Sequence, residues 1–455
     1  MWTLTVMPSD GGWVETIDGL IHDCAVATPA ACATTYGSGA QPTVRARTSN
    51  GSGMHFVGWA GPPTCADAGA VRTCTLNLNA ANQPIVVQPM FAVIEQNLAF
   101  VSSAKVPASL GGLTPYDTLC NALASDAGIN DQTGTAFVAW MSTFGDTRAN
   151  QRFTATGGVT RVDGRPVAFS RADLLAGLIR YPLSLDEWGQ RIPPSTFAAG
   201  DDAVWTGTTS SGNSTSDDCA GWTVASANRA TIGAANGGPG LWTDDRSSNA
   251  PCSDLRRVFC LQNTSSVVGT FPALPPGAKR LFRTPKVNNP TSLADADATC
   301  QQLAQQANLI GPADAGYRAL LADTTESAAE HARLINSTDY WRVDGVRVAT
   351  GFDLKRGVLA SGLWALPDGG CAGAVNELDP GEQQAWTGAD APTNSGTITS
   401  TCNNWAPTVG NISAQLGNSR YSSLRYFVDF GVGAACDPTT TTNANVFRGL
   451  YCIEQ

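Results

Sequence analysis

Arg161-Val162-Asp163-Gly164 returns as Arg342-Val343-Asp344-Gly345, 181 positions further along the chain. Asp-Gly suits a tight hairpin turn, so each tetrapeptide predicts a turn between two short strands. Working outward, nearly the same offset carries Cys120 onto Cys300, and Asp173-Leu174 with Gly177 onto Asp353-Leu354 with Gly357. It also carries Trp205-Thr206-Gly207 onto Trp386-Thr387-Gly388, Cys219 with Trp222 onto Cys402 with Trp405, Cys252 onto Cys436, and Cys260 onto Cys452. Landmarks repeated in fixed order over so long a period mean two copies of one whole domain. A solenoid would repeat every few dozen residues, which excludes that architecture.

The 455 residues suffice for two to four domains with real cores. Charged residues are only 15% while Gly, Pro, Ser, Thr and Asn abound, a balance that favours strands and loops over helical bundles. A net charge of −10 argues against a nucleic-acid partner, because phosphate binding calls for basic patches. No apolar run reaches the ~18–20 residues of a membrane helix. Trp2-Thr3-Leu4-Thr5-Val6 alternates like a strand rather than a leader. The 13 cysteines, most in paired positions, point to an oxidising compartment. An exported protein is expected, extracellular or at a cell surface, with its leader outside this stretch.

Residues 1–95 read as a small all-β module, with strands at 3–6, 44–47, 56–61, 75–78 and 85–91 and local disulfides Cys24–Cys32 and Cys65–Cys74. Leu4-Thr5-Val6, Phe56-Val57-Gly58-Trp59-Ala60-Gly61, Cys74-Thr75-Leu76-Asn77-Leu78 and Pro89-Met90-Phe91 make it resemble a divergent internalin-type B-repeat. The resemblance implies a β-grasp-like spacer. The copies then span 97–263 and 279–455, joined by a linker stiffened by Pro272, Pro275 and Pro276.

Each copy opens on a strand and one amphipathic helix. In the first, Thr114 caps the helix, Pro115 takes its first position, and Leu119, Cys120 and Leu123 share a face. Asp297, Cys300 and Leu303 repeat that spacing. Further short helices are expected at 171–178 and 353–359. Four cysteines allow three connectivities, and the nested one is expected in each copy: Cys120–Cys260 around Cys219–Cys252, and Cys300–Cys452 around Cys402–Cys436. Cys371 is left as a free thiol. The helix cysteine, inner pair and terminal Phe259-Cys260 or Tyr451-Cys452, with the turn, Trp-Thr-Gly and Cys-x-x-Trp landmarks, resemble the C-type-lectin-like fold in its bacterial endostatin-like form. The expected class is α+β, two loop-rich, disulfide-rich lectin-like domains behind the β module. Such domains bind carbohydrate or protein, and the fold alone does not say which.

Catalytic patterns are scarce. His22, His55 and His331 form no nucleophile arrangement, and no Gly-x-Ser-x-Gly or His-Glu-x-x-His occurs. The zinc histidines of endostatin have no counterpart, and the lectin calcium motifs are missing: Leu366-Pro367-Asp368 lacks the leading acid or amide, and there is no Trp-Asn-Asp. No cofactor is expected, though the acidic clusters leave room for a structural calcium. Trp59, Trp205 and Trp386 are expected in the core, with Trp222 and Trp405 packed on the inner disulfides. Asp186, Glu187, Trp188, Trp242, Asp244, Trp364, Asp368 and Glu377 are the candidate ligand-binding residues, loop aromatics beside carboxylates. The function expected is non-catalytic adhesion or ligand binding at a bacterial surface, to a glycan, cell-envelope component or partner protein. Its rival is a self-assembling subunit of a fibre or surface layer. A polysaccharide hydrolase using Asp186 and Glu187 ranks last.

Overall fold

The computed structural model describes residues 1–455 apart from 50–53, 67–70, 80–83, 130–135, 195–199, 226–227, 246–248, 271–272, 311–315, 373–381, 407–411, 430–432 and 437–446. The fold is mixed, with 16% helix, 31% strand and several sheets. Among the described residues six disulfides form, with the partners expected from sequence: Cys24–Cys32, Cys65–Cys74, Cys120–Cys260, Cys219–Cys252, Cys300–Cys452 and Cys402–Cys436. Cys371 is a buried free thiol. No helix among the described residues is long and apolar enough to cross a membrane.

The described residues fall into two compact units. One holds Met1–Ala172, Leu183–Ala235 and Arg246–Gly269, and the other holds Asp173–Pro182, Asn236–Asp245 and Thr270–Gln455. Two stretches of the first repeat copy therefore belong to the second unit. The chemistry there is specific: Arg180 Nη1 meets the buried Asp344 carboxylate at 2.5 Å, Arg347 N donates to the Tyr181 hydroxyl, and Gly238 N donates to Arg420 O. A buried carboxylate needs such cations, and Arg342 also pairs with Asp344.

The N-terminal segment builds two sheets. One orders Ala33–Tyr36, Trp2–Val6, Ile85–Val93 and Met54–Ala60, and the other Gly12–Thr16, Thr43–Thr48 and Thr73–Thr75. Two of these strands, at 12–16 and 33–36, lie in the stretch that the sequence reading left unassigned. The strand expected over 75–78 instead ends at Thr75. Trp59 is buried against Phe56, as expected for a core ring.

The two copies share one topology. Phe137–Ala139, Leu255–Gln262, Asn97–Val101, Val159–Arg161 and Pro166–Ala168 lie side by side. Tyr317–Ala319, Tyr451–Glu454, Lys279–Arg283, Asp339–Arg342 and Arg347–Thr350 repeat that order. Even the registers agree, since Cys260 faces Phe100 and Ala139 while Cys452 faces Phe282 and Ala319. Ala203–Trp205, Arg229–Ala234 and Asn249–Pro251 extend the first of these sheets through Val204 paired with Arg257, while Gln384–Trp386, Ser413–Asn418 and Gly433–Ala435 repeat their order as a separate three-stranded sheet. Both Arg-Val-Asp-Gly stretches are hairpin turns, with Gly164 and Gly345 at φ +80°.

The helices depart in detail from expectation. Thr114–Asp126 starts with Thr114 inside it and Leu113 at the cap, so Thr114 caps nothing. Its fully buried residues are Tyr116, Cys120 and Ala124, matched in Leu293–Gln306 by Ala296, Cys300 and Ala304. Leu119 and Leu123 are only partly buried. The disulfide draws the helix onto the sheet along the cysteine row, and small alanines permit that approach. The second helices are shorter than expected, Arg171–Leu175 and Gly351–Arg356.

Candidate ligand-binding cleft

The Cys-x-x-Trp repeat is where the backbone is most strained. Cys219, Ala220, Gly221 and Trp222 all have positive φ (+53°, +54°, +70° and +66°), and Cys402, Asn403, Asn404 and Trp405 do the same (+50°, +56°, +56° and +63°). Four consecutive residues in the left-handed region make one turn of left-handed helix, closed by Trp222 N donating to Asp218 O and Trp405 N to Thr401 O. Such a conformation costs an L-residue about 1–2 kcal/mol, so something must hold it. The inner disulfide fixes the first residue. The indole fixes the last, with Trp222 Nε1 donating to Ser142 O (2.8 Å) and Trp405 Nε1 to Ala322 O (2.9 Å).

The Trp-Thr-Gly repeat serves the same turn. A Cβ on Gly207 would stand 2.8 Å from the Trp222 ring and 2.9 Å from Ser142 O. On Gly388 it would stand 2.8 Å from the Trp405 ring and 2.5 Å from Ala322 O. Only glycine lets the strand end pass under the indole, which explains why two motifs far apart in sequence recur together.

In the first copy this turn forms one wall of an open cleft of about 610 Å³. Ala220, Gly221 and Thr223 come from the turn, Asp218 from its foot, and Gly112 and Leu113 from the approach to the first helix. Thr143, Phe144, Asp146 and Thr147 come from the loop after Phe137–Ala139. That loop is closed on itself by Thr143 N donating to Thr147 O and Thr147 N to the Thr143 hydroxyl. It is tied to the turn by Phe144 N donating to Asp218 Oδ2 at 2.8 Å. Phe144 is 64% exposed, an unusual place for so large an apolar residue. None of the lining residues is basic.

In the second copy, Thr401 precedes the left-handed turn where the first copy has Asp218, and Asn404 Oδ1 takes the Thr324 amide. The loop is held in the same way by a neutral group. The supporting ion pair differs as well. Asp117, which accepts Ala139 N, binds Arg152; Asp297, which accepts Ala319 N, binds His331 Nε2 at 3.0 Å. Glu326 Oε2 lies 3.2 Å from the other ring nitrogen. Burial pulls the His331 pKa down, but the two carboxylates outweigh it, and the net shift is upward.

The residues chosen from sequence lie elsewhere. Asp186 and Glu187 are 6% and 0% exposed and act inside a turn. Asp186 accepts from Trp188 N and Gln190 N, while Glu187 accepts from Ser103 N and the Ser103 hydroxyl. Burial pushes the Asp186 carboxyl up to about 6, with the neighbouring Glu187 adding to the rise against the backbone donors. Neither offers the open approach that a hydrolase pair needs. Trp188 is half-buried beneath the Arg45 guanidinium (5.0 Å), and its carbonyl accepts Arg72 N. Its surroundings belong to the N-terminal segment rather than to a ligand.

Trp242 and Trp364, candidates as loop aromatics, are in fact enclosed, at 1% and 0% exposure. Trp364 Nε1 donates to Ile179 O and its ring carries the Arg342 guanidinium at 4.8 Å, so both its polar edge and its face are used. Asp244 is buried. Asp368 is exposed and accepts Gly370 N within a turn. Glu377 lies outside the described residues. Trp205, Trp222, Trp386 and Trp405 are core residues as expected. No group of three or more His, Cys, Asp or Glu side chains that could hold a metal occurs among the described residues. The sequence reading missed Phe144, Asp146 and Ala220. Asp218 was not among its candidates either, although its place beside the repeated Cys-x-x-Trp marks it out. No family model matches the chain, and no curated protein matches it either.

Proposed function

We propose that this chain is a non-catalytic binding protein of a bacterial extracellular surface, two C-type-lectin-like domains behind an internalin-like β module, and that it recognises glycan through the first-copy cleft. The carrying observation is the cleft itself. Covalent and glycine-dependent constraints hold a strained turn so that an exposed ring, two carboxylates and three threonine hydroxyls line one open space. A ring face beside hydrogen-bonding groups is what a pyranose needs, since sugars present both apolar C–H faces and hydroxyls. The six disulfides support an oxidising, extracellular setting. Binding of the full chain to a glycan array, with and without a calcium chelator, tests the reading. Expected is chelator-independent binding that Phe144→Ala weakens. Binding to no glycan, or binding indifferent to Phe144, overturns it.

The rival reading, a structural subunit of a fibre or surface layer, draws on the exposed apolar side chains Val86, Met90 and Val93 along one strand of the N-terminal segment. Concentration-dependent growth in size on light scattering, abolished by Met90→Lys, would favour it.

A further inference from the structure

We infer that His331 is a pH-sensitive latch of the second copy: charged, it ties the 323–326 loop to the first helix, and neutral, it lets the loop go. The residue is 6% exposed, and its ring stands between two carboxylates, with Nε2 3.0 Å from Asp297 Oδ1 and Nδ1 3.2 Å from Glu326 Oε2. A carboxylate only accepts, so both contacts are hydrogen bonds only while both ring nitrogens carry protons. Neutral imidazole has one N–H, and its bare nitrogen then meets a carboxylate oxygen lone pair to lone pair. The surroundings decide which contact fails. Asp297 belongs to the helix Leu293–Gln306 and is pinned by Ala319 N, which donates to the same oxygen. Glu326 comes from the loop, and its side chain is 42% exposed, so water solvates it once it leaves. The proton therefore departs from Nδ1, Nε2–H stays with Asp297, and Glu326 swings out. Of the other groups around the ring, Arg318 from the strand Tyr317–Ala319 donates to the His331 carbonyl, and Asp323 of the same loop accepts Thr325 N and Glu326 N. Glu330, on the histidine's own helix, closes the Ser327 cap, and Gln455 gives Ala332 O an uncharged donor. Burial pulls the histidine pKa down, but Asp297 and Glu326 outweigh it, so the latch opens as pH rises through a value above the ordinary histidine range. The loop borders the left-handed turn: Thr324 N donates to Asn404 Oδ1, and Trp405 Nε1 to Ala322 O just before it. Its counterpart in the first copy is the Phe144 loop, where Arg152 ties Asp117 to Ala139 O and Met141 O and keeps its charge at every physiological pH. One copy thus carries a permanent clamp and the other a titratable one.

The test is hydrogen exchange of the full oxidised chain, read by mass spectrometry from about pH 5 to about pH 9 and corrected for intrinsic exchange. The amides of Thr324, Thr325 and Glu326, each hydrogen-bonded in the closed loop, are expected to lose protection about fivefold or more as pH rises through the histidine titration. The first-copy loop 143–147 should stay flat over the same range. Glu326→Gln should remove the step, because an amide accepts from the charged ring and donates to the neutral one. His331→Arg should remove it too, since the cation then persists; should that variant fold poorly, Glu326→Gln and the comparison between the two loops decide. A flat profile in the parent protein, or a step that survives in Glu326→Gln, overturns the latch. A step of equal size in the first-copy loop, or in the strand Lys279–Arg283 of the same unit, would be general loosening and overturns it as well.

Discussion

Exchanging one methyl group between neighbouring residues isolates the strain in the left-handed turn. Ala220 (φ +54°, ψ +53°) is exposed, and a Cβ on its neighbour Gly221 (φ +70°) would meet no atom within 4 Å. Packing is therefore nearly absent from both sites, and backbone preference decides. A left-handed L-residue costs about 1–2 kcal/mol. Glycine escapes that cost and returns about 0.5–1 kcal/mol through the freedom that it gives the unfolded chain. Ala220→Gly should then stabilise its unit by about 0.5–1 kcal/mol, and Gly221→Ala should destabilise it by a similar or larger amount. For a unit of this size the shifts are about 1–3 °C in Tm, opposite in sign and readable by calorimetry on the oxidised protein. The reasoning fails if both substitutions destabilise, or if Ala220→Gly is the worse of the two. Either result would mean that the turn is right-handed in solution, and the cleft wall would go with it.

Gly207→Ala should cost more than about 2 kcal/mol, because its Cβ would press on the Trp222 ring and Ser142 O at a backbone angle that already disfavours a side chain; a shift in tryptophan fluorescence together with a lowered Tm would report it, and an unchanged Tm would count against the packing described. Asp186 has its folded pKa raised from 3.8 to about 6, so its stabilising effect is complete below about 3.8 and is lost as pH rises through about 6. Asp186→Asn keeps an oxygen for both backbone donors, and should match the parent protein at low pH but exceed it above about 6, by up to about 2–3 kcal/mol. Equal pH profiles would refute a buried, titrating Asp186. His331 has a raised pKa, so its contribution is complete below 6.5 and disappears as pH rises through the raised value. The groups facing it are Asp297 from the helix, Glu326 and Asp323 from the loop, and Arg318, which donates to its carbonyl. His331→Arg, copying Arg152, should flatten the loss of stability on the alkaline side; an unaltered slope there would show that the pair does not titrate as described.

The sequence made the frame legible where a residue type has one structural use. Asp-Gly pairs marked the two hairpins, and repeated cysteines marked the braces, because the nested pairing closes each copy on itself. Side-chain burial was less visible. Trp364 is enclosed because Ile179 O, 185 residues earlier, accepts its indole N–H and Arg342 covers its face, and no local pattern encodes either contact. Periodicity placed Leu119 and Leu123 on the inner face, yet the disulfide turned Tyr116 and Ala124 inward instead. The left-handed turn was least readable of all. Cys, Ala and Trp have no preference for that region, and only Gly221 in one copy and Asn403-Asn404 in the other hint at it. The duplication separates frame from chemistry. Glycine, indole and disulfide recur wherever the turn must be held, whereas Asp218 gives way to Thr401 and Arg152 to His331 at positions that the frame leaves chemically free. Charge can therefore change beside the turn without disturbing the scaffold, and the two copies can differ in chemistry there while folding alike.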